Sequence, residues 1–569
     1  MNVFRRKNKS EDVGVADTTN EPGLEGHQDL AVIVSEKGLW DKIFPMSSNC
    51  LGRDCKMSKE GAPSTIVIVS EKSLWDKIFP IMAAGSGLFS EGYVQSVIGS
   101  VGTILGIIYG PAYSDSTGAA NIAAIAFAGT VVGMLVFGYT SDKWSRRNSL
   151  LVATVIMIIF TALSAGSYSG GTLSGLITAL TAYRFLVGIG IGGEYPAGSV
   201  AAAESSGELK SGTRNMWFIM FTNVAIDWGF VIGAFVPYIL VLIFKENHLR
   251  AAWRVALGLG VIPPITLLLM RLKLQEPEEF KRESMKHVKI PYGIVLKYYW
   301  WRLTVVGLIW FLYDFSAFAF GIYSSTIISD IIGDEATLAT KFGWNTVINL
   351  FYIPGAMLGG LFSDKVGPRY ALVIGVTLQA LVGFIMAGCY DTLTKPGHIG
   401  SFAVVYGIFL TLGEFGPGDN IGLIASKTCA TGVRGQYYGI AAAVGKIGAF
   451  VGTRVFKYIE AAGGDDKVKR AQYPFWVASS LCVFSAFLAL FLLPHIGQDT
   501  ITQEDLKFRA YLESHGFDTR QMGLNRGETV EEAYPEQVET GKASGEVDSA
   551  TAEKSALAEE SALAEKSSN

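Results

Sequence analysis

Long apolar runs that recur between short polar turns constrain this fold more than any other feature of the sequence. A helix of about 20 apolar residues crosses the roughly 30 Å hydrocarbon core of a bilayer. Lipid offers no partner for backbone N–H and C=O groups, and a helix pairs them within a single segment. We therefore predict an all-α membrane protein with twelve spans. The spans are expected near residues 79–109, 119–140, 148–168, 174–203, 215–244, 251–272, 302–329, 341–362, 369–390, 400–427, 436–459 and 473–494.

The composition excludes several classes of protein. Half of the 569 residues are hydrophobic and 17% are charged, a balance far from that of a water-soluble domain. The formal net charge of −4 gives no basis for a nucleic-acid partner. The five cysteines have neither metal-ligand spacing nor the pattern of a disulfide framework. No nucleophile, metal cluster or phosphate-cradling loop indicates an enzyme, and no metal or cofactor is expected.

The longest polar break lies near the middle of the chain and divides the apolar runs six and six. We predict an N-terminal bundle at 74–274, a linker at 275–301 and a C-terminal bundle at 302–494. Polar tails flank the bundles at 1–73 and 495–569.

Both tails contain repeated sequence. VIVSEKGLWDKIFP at 32–45 recurs as VIVSEKSLWDKIFP at 67–80, which indicates a recent duplication or a gene-model artefact. The N-terminus runs into polar sequence, so the first span is expected to direct membrane insertion in place of a cleaved leader. The C-terminal tail ends in an Ala/Glu/Lys/Ser pattern that cannot build a core, and we expect it to be disordered.

The distribution of basic residues predicts the orientation of the chain. Lys and Arg gather in the segments after spans 2, 4, 6, 8 and 10, for example Lys143, Lys210 and Lys365. Such loops face the cytoplasm. Arg250 and Lys469 are exceptions in the segments after spans 5 and 11. We expect both tails to be cytoplasmic and the protein to lie in the plasma membrane.

Two loops carry the same motif in equivalent places. The sequence from Gly138 to Arg147 (GYTSDKWSRR) joins spans 2 and 3, and GLFSDKVGPR joins spans 8 and 9. Both resemble the loop motif of the major facilitator superfamily, although Ser145 stands where that motif has Gly. The repetition indicates a duplicated six-helix unit. Glycine permits close helix approach, and a carboxylate pairs with cations or caps a helix start. The predicted conformational latch consists of Gly138, Asp142, Arg146, Arg147, Gly360, Asp364 and Arg369.

An ordered set of motifs narrows the resemblance. Span 1 contains AAGSGLFSEGYVQS, span 4 GGEYPAGS, span 7 WFLYDFSAF, span 10 EFGPGDN and span 11 GIAAAVGKIGAF. Together they resemble the phosphate and organophosphate proton symporters. The start of span 1 and the end of span 6 look most like fungal glycerophosphoinositol and glycerophosphocholine permeases. The resemblance implies alternating access, protons as the coupling ion, a small anionic substrate and a monomer surrounded by lipid.

Span 7 contains the clearest site residue. An ionised side chain at the bilayer centre costs about 2.5–3.5 kcal/mol, so it must face a cavity or a partner. Trp310, Asp314 and Phe318 are spaced i, i+4, i+8 and share one helix face. The resemblance implies that Asp314 binds substrate and exchanges a proton, while Trp310 forms a wall of the site. The competing interpretation is a structural hydrogen bond between helices.

Further acids are expected to carry protons. Glu91 and Glu194 match acidic positions of the family, and a carboxyl group in a low-dielectric cavity holds its proton more tightly than in water. The alternative for Glu91 is a structural hydrogen bond to a neighbouring helix. Arg184 either neutralises one of these acids or contacts the substrate directly.

An anionic substrate needs a compensating positive charge inside the membrane. Lys446 is the basic residue in the core of span 11, and Gly445 and Gly448 beside it let a helix or ligand approach. The alternative is a lysine that snorkels to an interface. Tyr195 and Asn223 are predicted hydrogen-bond donors to the same substrate.

Departures from the inorganic-phosphate pattern predict the substrate class. Phe318 stands where those members have Tyr. Where they read Asn-Phe-Gly-Pro-Asn, this chain reads Glu414-Phe-Gly-Pro-Gly418-Asp419, so a phosphate donor is lost and carboxylates are gained. Carboxylates repel a bare phosphate but accept hydrogen bonds from glycerol or inositol hydroxyls and pair with choline. A phosphodiester with a polyol or cationic headgroup is therefore favoured. Asp227 is either another acceptor or a buried structural acid.

Two other functions are compatible with these motifs. One is transport of inorganic phosphate, a sugar or an organic acid through the same fold. The other is a non-transporting nutrient sensor that signals through its tails. Sensors have long and distinctive cytoplasmic extensions, whereas these tails are of moderate length and low complexity.

Overall fold

The computed structural model describes residues 73–333, 336–395 and 398–524, and both repeated tail sequences, apart from the end of the second N-terminal copy, lie outside these residues. Twelve helices in the described part are long and apolar enough to cross a membrane, as predicted. They are Leu74–Tyr109, Thr117–Lys143, Arg146–Ala165, Leu173–Ser206, Arg214–Phe244, Glu246–Arg271, Tyr292–Ile328, Leu338–Val366, Pro368–Gly388, Ile399–Lys427, Thr431–Ala461 and Lys467–Leu492, called spans 1 to 12 below.

Because the number of spans is even, Leu74 and Leu492 lie at the same end of the helices. This end, which also holds the loops after spans 2, 4, 6, 8 and 10, is called the tail side. The other end is the opposite side.

Span 7 begins at Tyr292, well before the predicted start at 302. Its first turns pack against protein instead of lipid: Tyr299 is buried, and Tyr298 lies beside it against Phe508 of the C-terminal region. The start of this helix was not predicted because its first residues are too polar to extend the apolar run that defined the span.

Small residues allow close packing within each bundle. A Cβ atom at Gly188 of span 4 would overlap the carbonyl oxygen of Ala126 in span 2, and one at Gly452 of span 11 would overlap that of Phe315 in span 7. Such contacts replace the hydrophobic effect, which does not drive association between helices in lipid.

The two bundles meet along spans 2 and 11, spans 5 and 8, and spans 1 and 7. A Cβ atom at Gly439 of span 11 would lie 2.5 Å from the carbonyl oxygen of Met134 in span 2. On the opposite side, one at Gly99 of span 1 would lie 2.6 Å from the carbonyl oxygen of Ile322 in span 7. A central cavity lies between these contact regions.

Spans 4 and 10 each contain a π-helical turn, at Glu194–Ser199 and Glu414–Gly418. Each turn contains a proline, Pro196 or Pro417, which has no N–H to continue the ladder and clashes with the preceding turn. Single π-turns occur often at functional sites. These two place acidic side chains at equivalent points of the two bundles.

Two short helices cover the tail side, Glu278–Glu283 in the predicted linker and Thr500–Ser514 at the start of the predicted C-terminal tail. Glu283 forms a buried ion pair with Arg509 at 2.7 Å. Phe508 and Leu512 are buried in a cluster with Tyr299. The first part of the C-terminal tail is thus part of the folded body, and Thr500–Ser514 is called the C-terminal helix below.

Candidate functional site

One cavity between the bundles brings together all eight residues predicted to bind substrate. They are Tyr195, Asn223, Trp310, Asp314, Phe318, Glu414, Asp419 and Lys446. The cavity volume is about 90 Å³, enough for a few water molecules but too small for an organophosphate. Binding of a larger molecule therefore requires the bundles to separate.

Lys446 forms the positive centre of this cavity. Its Nζ lies 3.1 Å from Glu91 Oε1 and 3.2 Å from Asp314 Oδ2. The ammonium also stands 3.7 Å from the ring centroid of Phe318 and 5.0 Å from that of Tyr195. Lys446 is only 1% exposed, so it does not snorkel to an interface. Two carboxylates compete for one ammonium. An incoming anion or proton can therefore change which group Lys446 pairs with.

Aromatic side chains enclose the ion cluster. Tyr195 donates a 2.5 Å hydrogen bond to Glu91 Oε2, and its ring lies 6.1 Å from that of Trp310. Trp310 in turn packs edge-on against Tyr438 at 5.5 Å. A Cβ atom at Gly445 would lie 2.5 Å from the indole of Trp310, so this glycine leaves room for the indole.

A second, acidic region lines the same cavity. Asn223 Nδ2 donates to Glu414 Oε2 at 3.1 Å and to Asp419 Oδ1 at 2.7 Å. Tyr313, which the sequence reading did not select, donates to Glu414 Oε1 at 3.0 Å. Its position one residue before Asp314 in span 7 is a signal that could have identified it. Asp227 completes this acidic region, which consists of Asp227, Glu414 and Asp419.

Glu194 lies outside the cavity, in a bidentate ion pair with Arg271. The guanidinium nitrogens Nη1 and Nη2 lie 2.6 and 2.5 Å from the two carboxylate oxygens, and Nε donates to the carbonyl of Ala83 at 3.0 Å. Arg271 is one of the basic residues at the end of span 6 that predict a cytoplasmic loop. It is fully buried at the end of that span, where its charge neutralises Glu194.

The predicted pairing of Arg184 with an acid is not made. Its guanidinium donates to the carbonyl oxygens of Ile122 at 2.8 Å and Val94 at 3.3 Å, and to Gln95 Oε1 at 3.2 Å. Among the described residues, Glu91 and Glu194 take Lys446 and Arg271 as their cations instead. Arg184 binds spans 1 and 2 to span 4 and does not line the central cavity.

Asp142, from the first copy of the loop motif, joins the two bundles on the tail side. Its carboxylate accepts hydrogen bonds from the backbone N–H groups of Gly435 and Gln436, both at 2.9 Å, at the start of the span 11 helix. A Cβ atom at Gly138 would lie 2.9 Å from the carbonyl oxygen of Gly435, so glycine permits this approach. A carboxylate at a helix N-terminus satisfies free N–H groups and the positive end of the helix dipole.

The second motif makes the mirrored contact. Asp364 accepts from the backbone N–H groups of Asn215 at 3.0 Å and Met216 at 2.9 Å, at the start of span 5 in the other bundle. A Cβ atom at Gly360 would lie 3.2 Å from Ile219. Each bundle thus caps a helix of its partner, which agrees with a duplicated unit.

A buried chain of charges extends the first contact. Arg146 pairs with Asp142 and, at 3.0 Å, with Glu204. Glu204 also pairs with Arg434 of the C-terminal bundle at 3.1 Å, and Arg434 lies 3.7 Å from Asp505 of the C-terminal helix. Glu204, Arg434 and Asp505 were not predicted from the sequence as latch residues.

The other two predicted latch residues stay within their own bundles. Arg147 donates to the carbonyl oxygen of Leu272 at 2.7 Å, and Arg369 donates to that of Leu490. Both bind exposed carbonyl groups at helix ends, so their described hydrogen bonds do not cross between the bundles.

A family model described as "Sugar (and other) transporter" matches residues 79–289 and 277–508. The chain belongs to this family. The solved structure of a major facilitator proton:xylose symporter bound to 6-bromo-6-deoxy-D-glucose aligns with this family member at a TM-score of 0.63 and 18% identity, over 76% of this chain and 98% of the other. The xylose transporter of E. coli in an inward-open conformation aligns at 0.57 and 18% identity, over 76% and 99%. This transporter therefore has the predicted major facilitator fold and is a multi-pass membrane protein.

Three fungal relatives are similar to this transporter over most of their length. The major glycerophosphoinositol permease of Candida albicans is 51% identical over 446 residues, 78% of this chain and 83% of the relative. A glycerophosphocholine permease of the same organism is 49% identical over 469 residues, 82% and 87%. Glycerophosphoinositol transporter 1 of Saccharomyces cerevisiae is 34% identical over 463 residues, 81% and 86%.

Proposed function

We propose that this protein takes up glycerophosphodiesters across the plasma membrane by alternating access, in symport with protons. The names of the three fungal relatives support the substrate class. An inorganic phosphate transporter of Toxoplasma gondii is less similar, at 28% identity over 62% of this chain. The tail side is cytoplasmic in this proposal, and one chain acts alone because both bundles supply the cavity.

The observation that carries the proposal is the polarity of the central cavity. Lys446 supplies one positive charge at one region of the wall, and Glu414 and Asp419 supply carboxyl groups at another. A glycerophosphodiester has the matching layout, with one phosphate charge at the centre and hydroxyls or a choline cation at its end. Carboxyl groups accept hydrogen bonds from hydroxyls, and the ammonium binds phosphate oxygens.

The ion cluster around Lys446 provides a route to proton coupling. A phosphate oxygen that binds Lys446 competes with the carboxylates of Glu91 and Asp314. Protonation of either carboxyl group removes a competing negative charge and frees the ammonium for the substrate. Proton and anion then bind together more favourably than either alone, which is the thermodynamic requirement for symport.

The membrane potential of a cell with a negative interior drives uptake of an anion only when more than one proton accompanies each negative charge. Each charge moved across the membrane against the potential costs about 2.3 kcal/mol per 100 mV. A single proton makes the transport of a monoanion electroneutral, and additional protons use the potential to drive accumulation.

The two ends of the bundle interface differ in how they are closed. Asp142 and Asp364 seal the tail side with charged hydrogen bonds to opposite helices. On the opposite side, Arg454 of span 11 donates a hydrogen bond to Asn121 of span 2. Thr103 and Ser325 approach at 3.3 Å there, beside a second cavity of about 370 Å³ lined mainly by spans 1, 2 and 7. The tail side has more charged hydrogen bonds across the interface than the opposite side, so the cavity is expected to open first toward the extracellular side.

Uptake of labelled glycerophosphoinositol tests the proposal in cells that lack their own glycerophosphodiester transporters. We expect uptake that unlabelled glycerophosphocholine inhibits, that inorganic phosphate and xylose inhibit weakly, and that a protonophore abolishes. Stronger inhibition by phosphate or xylose would assign a different substrate. Accumulation that survives the protonophore would rule out proton symport, and an absence of any uptake would favour a sensor.

A further inference from the structure

Asp227 of span 5 is the least compensated acid described in the central cavity. Its side chain is fully buried, and neither carboxylate oxygen has a hydrogen-bond partner among the described residues. It lies one helical turn after Asn223, on the same face of span 5, and lines the cavity.

The neighbours of Asp227 make an ionised form more costly. Glu414 and Asp419 of span 10 face it with the same charge, and the phenols of Tyr313 and Tyr352 are the other titratable groups around it. The amide of Asn223 already binds both Glu414 and Asp419, and Asp419 Oδ2 has no described hydrogen-bond partner.

The described cations nearest these acids are paired with other groups. The described ion pairs of Lys446 in this cavity are with Glu91 and Asp314, and Arg271 pairs with Glu194 outside it. Taking an unpaired ion out of water costs several kcal/mol even after the protein relaxes. The three carboxyl groups of this region have only the Asn223 amide and the Tyr313 phenol as described hydrogen-bond donors. They therefore need a bound positive charge.

The geometry favours a proton over a metal ion as that charge. No group of three or more His, Cys, Asp or Glu side chains in the described part of the chain could hold a metal ion. A proton needs only one carboxyl oxygen, and it turns an acceptor-only carboxylate into a group that also donates a hydrogen bond.

We infer that Asp227 is a proton-binding residue, the centre of a second protonation site that it shares with Glu414 and Asp419 and that is separate from the Lys446 cluster. The inference rests on the proposed symport of a phosphodiester with protons. The proton arrives from the extracellular side and forms an O–H bond to Asp227 before the cavity closes. When the tail side opens, water hydrates the carboxylate, the O–H bond breaks and the proton leaves to the cytoplasm.

The test measures proton and substrate fluxes together, with the full-length protein in liposomes and glycerophosphoinositol as the probe. We expect Asp227→Asn to lower the proton-to-substrate ratio by one. The variant should still exchange internal for external substrate, because a neutral amide resembles the protonated acid. Asp227→Glu should keep the wild-type ratio, and so should Asp391→Asn, which removes an exposed acid away from the cavity.

Several outcomes would overturn the inference. An unchanged ratio in Asp227→Asn excludes Asp227 as a proton carrier, and an unchanged ratio with altered preference for inositol or choline makes it a headgroup contact. Wild-type protein that transports no glycerophosphodiester would instead refute the proposed function.

Infrared spectra of the wild-type protein test the protonation site without depending on whether a variant folds. We expect the carbonyl band of a protonated carboxyl group at neutral pH, and we expect it to change when glycerophosphoinositol is added. A spectrum with only ionised carboxylates would contradict the inference.

Discussion

Replacement of Asp142 by asparagine is expected to open the tail side of this transporter. Asp142 accepts hydrogen bonds across the bundle interface from the backbone N–H groups of Gly435 and Gln436. Its ion pair with Arg146 lies within the N-terminal bundle and remains when the bundles separate. Only the bonds that cross the interface therefore favour the closed state.

Asp142 Oδ2 also accepts a third bond across the interface, from the side-chain amide of Gln436 at 3.1 Å. The two backbone bonds set the minimum size of the effect. Hydrogen bonds to a charged group contribute about 1.5–3 kcal/mol each and neutral ones about 0.5–1.5 kcal/mol. Asparagine keeps one acceptor oxygen but loses the charge, so one bond weakens by about 1 kcal/mol. The amide NH2 in place of the second oxygen cannot accept the other bond, whose loss costs about 1.5–3 kcal/mol. A total of about 3 kcal/mol corresponds to a roughly 150-fold rise in the population open at the tail side.

A cysteine at Ser141 reports this opening. Ser141 is fully buried between the bundles, next to Gly435. In a background without the exposed Cys389 and the N-terminal cysteines, a thiol reagent applied from the tail side should label Ser141→Cys about 150-fold faster when Asp142→Asn is added.

Two variants control for indirect effects. Asp364→Asn removes the mirrored cap and should accelerate labelling to a similar extent. Arg147→Gln should have no effect, because Arg147 binds a carbonyl of its own bundle. Equal labelling with Asp142 and with asparagine would refute the reasoning.

Two further predictions concern stability. Burial raises the pKa of Asp505 to about 7 despite the nearby Arg434, while the ordinary value is 3.8. A raised pKa makes docking of the C-terminal helix strongest at low pH and weaker as pH rises through about 7. Hydrogen exchange of 500–514, corrected for intrinsic rates, should show this between about pH 4 and 7, and Asp505→Asn should remove the dependence. Separately, Gly452→Ala should lower thermal stability by about 1–3 kcal/mol through overlap with Phe315, whereas Gly388→Ala, in open space, should not; equal melting temperatures would contradict this account.

The sequence was sufficient to predict the fold and the membership of the cavity. Runs of apolar residues determine where helices lie in a membrane, and charged residues such as Asp314 and Lys446 are tolerated there only when they face a shared cavity. The two therefore had to lie near one another, and the structure pairs them at 3.2 Å.

Other contacts could not be predicted because they depend on which side chain reaches which partner. Arg271 lies at the end of its span, where a basic side chain is expected to face the loop, but its long side chain turns inward to Glu194. Arg184 has the right charge to neutralise an acid, yet its helix face directs it to carbonyl groups of neighbouring helices.

The C-terminal helix escaped prediction for a different reason. Its buried polar groups, Asp505 and Arg509, are satisfied by residues distant in sequence, Thr431 and Glu283. From sequence alone, such a polar stretch predicts a solvated tail, because the residues that satisfy its polar groups are distant in the chain.

The central claim is that Lys446 binds the phosphate of the substrate, and a direct binding measurement tests it. Purified wild-type protein and Lys446→Gln are titrated with glycerophosphoinositol, with Lys446→Gln combined with Asp314→Asn as a control for the acid left unpaired. Loss of a charged hydrogen bond of about 1.5–3 kcal/mol predicts affinity about 10- to 150-fold weaker in both variants. Affinity equal to wild type in folded Lys446→Gln protein would contradict the account.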